Sequence, residues 1–127
     1  MNTEICSWLT QIKTAFPSIQ SLWLIGSRAN GSAREISDWD FIVFANREIL
    51  MQIQNASYLH RSDVDFLVVT NGENFENGWG EKDKTGILSS WEWKIVTDSL
   101  AEYTEIKWVE TEEDAKLVSR RRKAVRV

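Results

Sequence analysis

The chain has 127 residues, 43% of them hydrophobic and 27% charged, with one Pro and six Gly. That describes a single ordinary domain able to bury a core unaided, and it excludes collagen-like, coiled-coil and wholly disordered chains. The net charge of −4 is uneven: residues 1–115 carry 9 Lys and Arg against 19 Asp and Glu, whereas residues 116–127 carry six cations and no acid. Broad duplex binding by so acidic a body is not expected. One cysteine, Cys6, and one histidine, His60, permit neither an internal disulfide nor a four-ligand zinc site, so any metal here is held mainly by oxygen. No apolar run is long enough to cross a bilayer, and Met1-Asn2-Thr3-Glu4 lacks the basic start of a signal peptide. A cytoplasmic location without a membrane partner is the expectation.

Ile5, Trp8, Leu9, Ile12 and Phe16 recur at helical spacing behind Asn2 and Thr3 and ahead of Pro17, which predicts a helix over about residues 3–16. Ser21-Leu22-Trp23-Leu24-Ile25 reads as a buried strand that stops at Gly26, followed by a polar turn region through Ser32. Strand character resumes over residues 38–44, where Asp38, Asp40, Ile42 and Phe44 share one face. Residues 46–58 have helical periodicity, and residues 64–69 form a further strand carrying Asp65.

Residues 71–86, with four Gly and few apolar groups, read as a long loop bearing Trp79, the one tryptophan of seven nominated for a ligand. His60, near a helix end, is better suited to capping or surface contact than to catalysis. The stretches 91–96 and 103–109 alternate apolar and polar residues and predict a hairpin that extends the sheet. Thr111-Glu112-Glu113-Asp114 looks like a helix start, so a basic C-terminal helix is expected over residues 111–127.

Chemistry is concentrated between residues 24 and 43. A strand ending in Gly26-Ser27 lets a phosphate approach the backbone with no Cβ in the way, and Arg28 and Arg34 are near enough in sequence to add cationic contacts, although ion pairs with surface acids explain them equally well. Asp38 and Asp40 aim the same way from one strand. At an effective dielectric near 20 an ionised pair about 6 Å apart repels by roughly 2–3 kcal/mol before screening. Exposure, protonation or a bound divalent cation would relieve this, and hard oxygen ligands favour Mg²⁺ or Mn²⁺.

Gly26-Ser27, Asp38-Trp39-Asp40-Phe41 and the later Val64-Asp65-Phe66 together resemble the DNA polymerase β-like nucleotidyltransferase superfamily, and in size its minimal prokaryotic members, over residues 20–70, about 40% of the chain. The resemblance implies an α+β nucleotidyltransferase-like domain spanning residues 1–127, its mixed sheet of about five strands packed with helices. It further implies Mg²⁺ ions held by Asp38, Asp40 and Asp65, Gly26, Ser27, Arg28 and Arg34 at the nucleotide, and transfer of a nucleoside monophosphate from a nucleoside triphosphate, ATP foremost, to a hydroxyl. Asp63 shares the face of Asp65 and is its rival for the third metal position. Asn30 stands where the short family members often carry Arg, and the helical domain that selects the acceptor in many members has no counterpart here. The acceptor is therefore open: a protein, with a HEPN-type partner in a toxin–antitoxin setting as one case, a nucleic-acid end or a small molecule. The alternative is an antitoxin-like module that binds a nucleotide or partner without turnover.

Overall fold

Asn2 caps the first helix, α1 (Thr3–Ala15), its side-chain oxygen accepting the Ile5 N–H at 2.9 Å, in a computed structural model that describes all of residues 1–127. The helix buries Ile5, Trp8, Leu9 and Ile12, the stripe expected of a 3.6-residue period. It is followed by β1 (Ser21–Ile25), the short helix α2 (Gly26–Asn30), β2 (Trp39–Phe44) and α3 (Arg47–Asn55), which Asn46 caps as Asn2 caps α1. A 3₁₀ turn (Ser57–Leu59) leads into β3 (Val64–Val69), and then come β4 (Asn74–Asn77), β5 (Gly86–Ile87), a second 3₁₀ turn (Leu88–Trp91) and β6 (Lys94–Ile95). The chain closes with two long strands, β7 (Leu100–Glu110) and β8 (Ala115–Arg126).

All eight strands form one mixed sheet in the order β5-β4-β3-β2-β1-β8-β7-β6, curled into a half-barrel. β2 and β3 are parallel, joined by a crossover through α3, and every other pair is antiparallel. One sheet face carries Leu24, Phe41, Val43, Phe66 and Val68 into the core made with α1 and α3. The opposite face carries Trp23, Ile25, Ile42, Val69, Phe75 and Tyr103 into a second, smaller cluster. Asp40 and Asp65 project from that second face, by the period-two alternation of their strands.

This mostly β architecture overturns the expectation of an α+β domain with about five strands. The largest departure is residues 111–127, expected as a basic helix and found as β8, paired with β7 from Glu110↔Ala115 to Leu100↔Val125. Thr111 and Asp114 shape a hairpin turn: Thr111 Oγ1 donates to the Asp114 carbonyl at 2.9 Å, and the Thr111 N–H donates to the same oxygen at 2.7 Å. The side chains that cap helices also close turns, so a cap signature is ambiguous until the partner strand is known. The arginines then find acids across the ladder, Arg120 and Arg122 on Glu105 at 3.1 Å and Arg121 on Glu102 at 3.7 Å. A strand with these cross-strand partners is preferred over a terminal helix whose residues 116–127 would bring six cations together with no acid.

Two smaller corrections concern the middle of the chain. The 71–86 segment is not one loop, because Asn74–Asn77 pairs with β3 and places Phe75 in the second core. The 91–96 stretch contributes only Lys94 and Ile95 to the sheet, and the long partner of β7 is β8.

Candidate active site

A cavity of about 570 Å³ opens on the second sheet face where β1, β2, β3 and β7 meet. Gly26, Asp40 and Asp65 line it, joined by Lys84 from the segment between β4 and β5. β1 ends at Ile25, which stands opposite Asp40 in the antiparallel register, so the chain turns at Gly26 immediately beside that carboxylate. Gly26 has φ +69°, and a Cβ there would collide with Asp40 Oδ2. The position therefore requires glycine both for its backbone conformation and for the approach of the carboxylate.

Asp40 and Asp65 are paired residues in the parallel β2–β3 register. Burial pushes the Asp40 carboxyl up to about 7, and the Asp65 charge, a hydrogen bond shared with Asp65 and the Asp38 charge push the same way against the opposing Lys84 ammonium. The Lys84 ammonium forms an ion pair with Asp65 and lies 3.4 Å from Glu81 Oε2. These contacts raise the lysine above its ordinary value, the hydrogen bond to Asp65 first.

The remaining residues expected at the site divide. Asp38 is exposed just before β2 and acts on Asp40 through its charge, outside the cavity lining. Ser27 is half-buried at the start of α2, also outside the lining. Arg28 is drawn into structure: its guanidinium lies 4.3 Å from the centroid of the Trp39 ring and donates to the carbonyls of Ser37 at 2.9 Å and Glu35 at 3.1 Å, fastening the turn before β2. Arg34 contributes its backbone N–H to Ser37 Oγ at 2.8 Å while its side chain is exposed. The Gly26 N–H donates to Tyr103 Oη at 2.8 Å. Asp63, the rival of Asp65, is committed to Arg61 through both carboxylate oxygens at 2.8 Å, which holds its carboxyl below the usual range.

Trp79 is not a ligand platform. Its ring stacks on Phe66 with centroids 5.1 Å apart and on His60 at 4.4 Å, and its Nε1–H donates to the Val64 carbonyl at 2.9 Å. His60 Nε2 lies 2.8 Å from the Ile53 carbonyl, which can only accept, so this nitrogen donates and closes the end of α3. Asn30 pins α2 to β8, its Oδ1 accepting the Lys123 N–H at 2.9 Å and its Nδ2 donating to the Lys123 carbonyl at 3.0 Å.

The site residues not anticipated are Lys84, Phe75, Trp91 and Tyr103, all from residues 71–110. A lysine in a segment punctuated by Gly78, Gly80 and Gly86 was the one available signal for Lys84.

Whether the donors suit a hard divalent cation follows from their chemistry. Two adjacent carboxylates, one kept protonated to near neutral pH and the other covered by an ammonium, form an oxygen-only, cation-seeking pair that fits Mg²⁺ or Mn²⁺. No three Asp, Glu, His or Cys side chains gather into a metal cage, so Asp38 does not complete a trio in this arrangement. No helix is long and apolar enough to cross a membrane. Comparison with family models, with curated proteins and with solved structures finds no match.

Proposed function

We propose that this chain is a metal-dependent nucleotidyltransferase that moves a nucleoside monophosphate from a nucleoside triphosphate, ATP foremost, onto a hydroxyl. One observation carries the reading: Asp40 and Asp65 lie side by side at the mouth of a strand-ending glycine bend, inside a cavity of nucleotide size. Fold likeness plays no part in it, since the eight-stranded sheet is not the architecture the motif implied.

A Mg²⁺ or Mn²⁺ ion, when bound, would be held by Asp40 and Asp65 and would neutralise charge on the phosphates. The residues of the chain do the rest. Gly26 lets the Asp40 carboxylate lie against the bend at the cavity edge, and Lys84, released from Asp65, offers its ammonium to the leaving pyrophosphate. The acceptor oxygen bonds to the α-phosphorus as the bond from that phosphorus to the pyrophosphate oxygen breaks, and the hydroxyl proton passes to an Asp65 carboxylate oxygen and on to water. Asp38 adds negative charge from outside the pair.

The test is incubation with α-labelled nucleoside triphosphates, Mg²⁺ and candidate acceptors, among them a HEPN-type protein and nucleic-acid ends. Label is expected to move with the wild type and to fall by at least about a hundredfold with Asp40→Asn or Asp65→Asn. Equal labelling by all three proteins removes the acids from the mechanism. One observation favours a non-catalytic binding module instead: both the Gly26 N–H and the Asp65 carboxylate already have partners within the chain, Tyr103 and Lys84. Nucleotide binding that needs no divalent ion and survives both substitutions would select that reading.

A further inference from the structure

We infer that the end of the cavity remote from the carboxylates is a nucleobase site, with the face of Trp91 as its stacking platform. This deepens the nucleotidyl-transfer reading and rests on it for the phosphate end. The cavity has two chemically distinct ends. Gly26, Asp40, Asp65 and Lys84 line one part. Phe75, paired with Val69 four residues along β3 from Asp65, lies about 13 Å up the sheet and packs on Trp91 and, through it, Tyr103, while Glu105 adds a carboxylate to the lining.

Trp91 differs from the core tryptophans in the way such a platform requires. Trp8 and Trp23 are 4% and 2% exposed, whereas Trp91 is half-buried, held from behind and open toward the cavity. Phe75 supports it with ring centroids 5.1 Å apart and planes at 60°, and Tyr103 at 5.7 Å and 35°. Neither neighbour is stacked flat on the indole, so neither covers it as a base would. The ring is carried by the 3₁₀ turn Leu88–Trp91, whose Ser90 also lines the cavity; its hydroxyl donates to the Ile87 carbonyl at 2.6 Å, which leaves its oxygen free to accept from a base's exocyclic amine. The aromatic faces at this end suit a planar heteroaromatic ring.

Tyr103 couples the two ends. Its ring closes the aromatic wall while its hydroxyl oxygen accepts the Gly26 N–H at 2.8 Å. The base wall and the phosphate bend are thereby fixed at one separation by a single buried side chain, as recognition of a whole nucleotide demands.

The experiment is calorimetric titration, with Mg²⁺ present, of the wild type, Trp91→Leu and Trp91→Phe, using adenosine 5′-(α,β-methylene)triphosphate and inorganic tripolyphosphate as probes. Loss of the stacking face is expected to weaken the nucleotide analogue by about 5- to 100-fold in Trp91→Leu, to leave tripolyphosphate unchanged, and to be largely restored in Trp91→Phe. Equal affinity of the wild type for both probes, or a Trp91→Leu protein that loses both alike or neither, overturns the base site. Trp91-dependent analogue binding without any label transfer would sink the reaction and keep the site, and label transfer with Trp91-independent binding would do the reverse.

Discussion

Asp40 stands opposite Asp65 in the parallel register of β2 and β3, and burial beside that charge raises the Asp40 carboxyl to about 7. In the unfolded chain the same group ionises near its ordinary 3.8. Between those values the folded chain retains a proton that the unfolded chain has lost, so this residue's contribution to stability is fully present below about pH 4 and lost as pH rises through about 7. Asp40→Asn removes that loss. Urea midpoints in EDTA at about pH 4.5 and about pH 8.5 are expected to fall more steeply for the wild type than for the variant, with the variant the more stable at the higher pH. Asp63, depressed by Arg61, has the opposite slope, present above its unfolded value and lost in acid, and it cancels from the comparison because both proteins carry it.

Lys84 acts as the resident cation of the acidic pair, so removing it should open the pair to others. The Lys84 and Asp65 side chains are 42% and 33% exposed, which limits the electrostatic competition to under about 1 kcal/mol. Lys84→Gln is accordingly expected to tighten Mn²⁺ binding, read by the loss of the free-ion paramagnetic signal, by about two- to fivefold without nucleotide. Unchanged affinity would show that the ammonium does not stand where the ion binds.

Gly26→Ala is expected to damage the site through the backbone. Its φ of +69° costs an alanine about 1–2 kcal/mol, and the new Cβ must also displace the Asp40 carboxylate. Thermal unfolding should show a loss of at least that size, with divalent binding falling in parallel. Gly31, at φ +73° but in open space, supplies the control: Gly31→Ala should show the conformational cost alone.

How much of this was legible in the sequence depended on whether a segment's neighbours lie within it. β1 and β3 are continuous apolar runs buried on both faces, so their bounds can be read directly, and Asp65 is conspicuous because it interrupts one of them. The capped, periodic α1 is equally plain. β4 is hidden because Asn74 and Glu76 face outward and only Phe75 is apolar, and β8 because Lys116–Arg126 acquires a strand's logic only when Glu102 and Glu105 stand across from it. For Arg28 the sequence offers a phosphate contact or a surface ion pair equally, and the Trp39 ring and two carbonyls it touches are set by a turn that carries no periodic signal. Trp91 and Tyr103 reach the cavity from the far side of the sheet order, a closure no local pattern encodes.

Arg28 thus becomes a stability prediction. Its guanidinium both stacks on Trp39 and donates to two carbonyls, a combination lysine cannot reproduce. Arg28→Ala and Arg28→Lys should each cost about 1–3 kcal/mol in denaturant unfolding while leaving tripolyphosphate affinity within about twofold. A large loss of anion binding with unchanged stability would return Arg28 to the nucleotide.

The outer part of the β7–β8 hairpin should be separable from the site. Ile106, Trp108 and Leu117 are 64%, 55% and 65% exposed, and the register pairs Trp108 with Leu117 and Ile106 with Ser119 on the two-stranded ribbon alone. Such a ribbon adds little to the stability of the sheet it extends. The residues that tie these strands to the body lie at the root: Tyr103 to Gly26, Lys123 to Asn30 and Arg126 to the Ser99 carbonyl at 2.9 Å and the Gln20 carbonyl at 3.3 Å. Replacing residues 108–117 with a short Asn-Gly turn is therefore expected to shift Tm by only a few degrees and to leave Mn²⁺ affinity unchanged, whereas Asn30→Ala, which breaks the paired contact to the Lys123 backbone, should cost about 1–3 kcal/mol. If shortening the ribbon instead unfolds the protein, the outer hairpin supports the sheet through contacts this geometry does not contain.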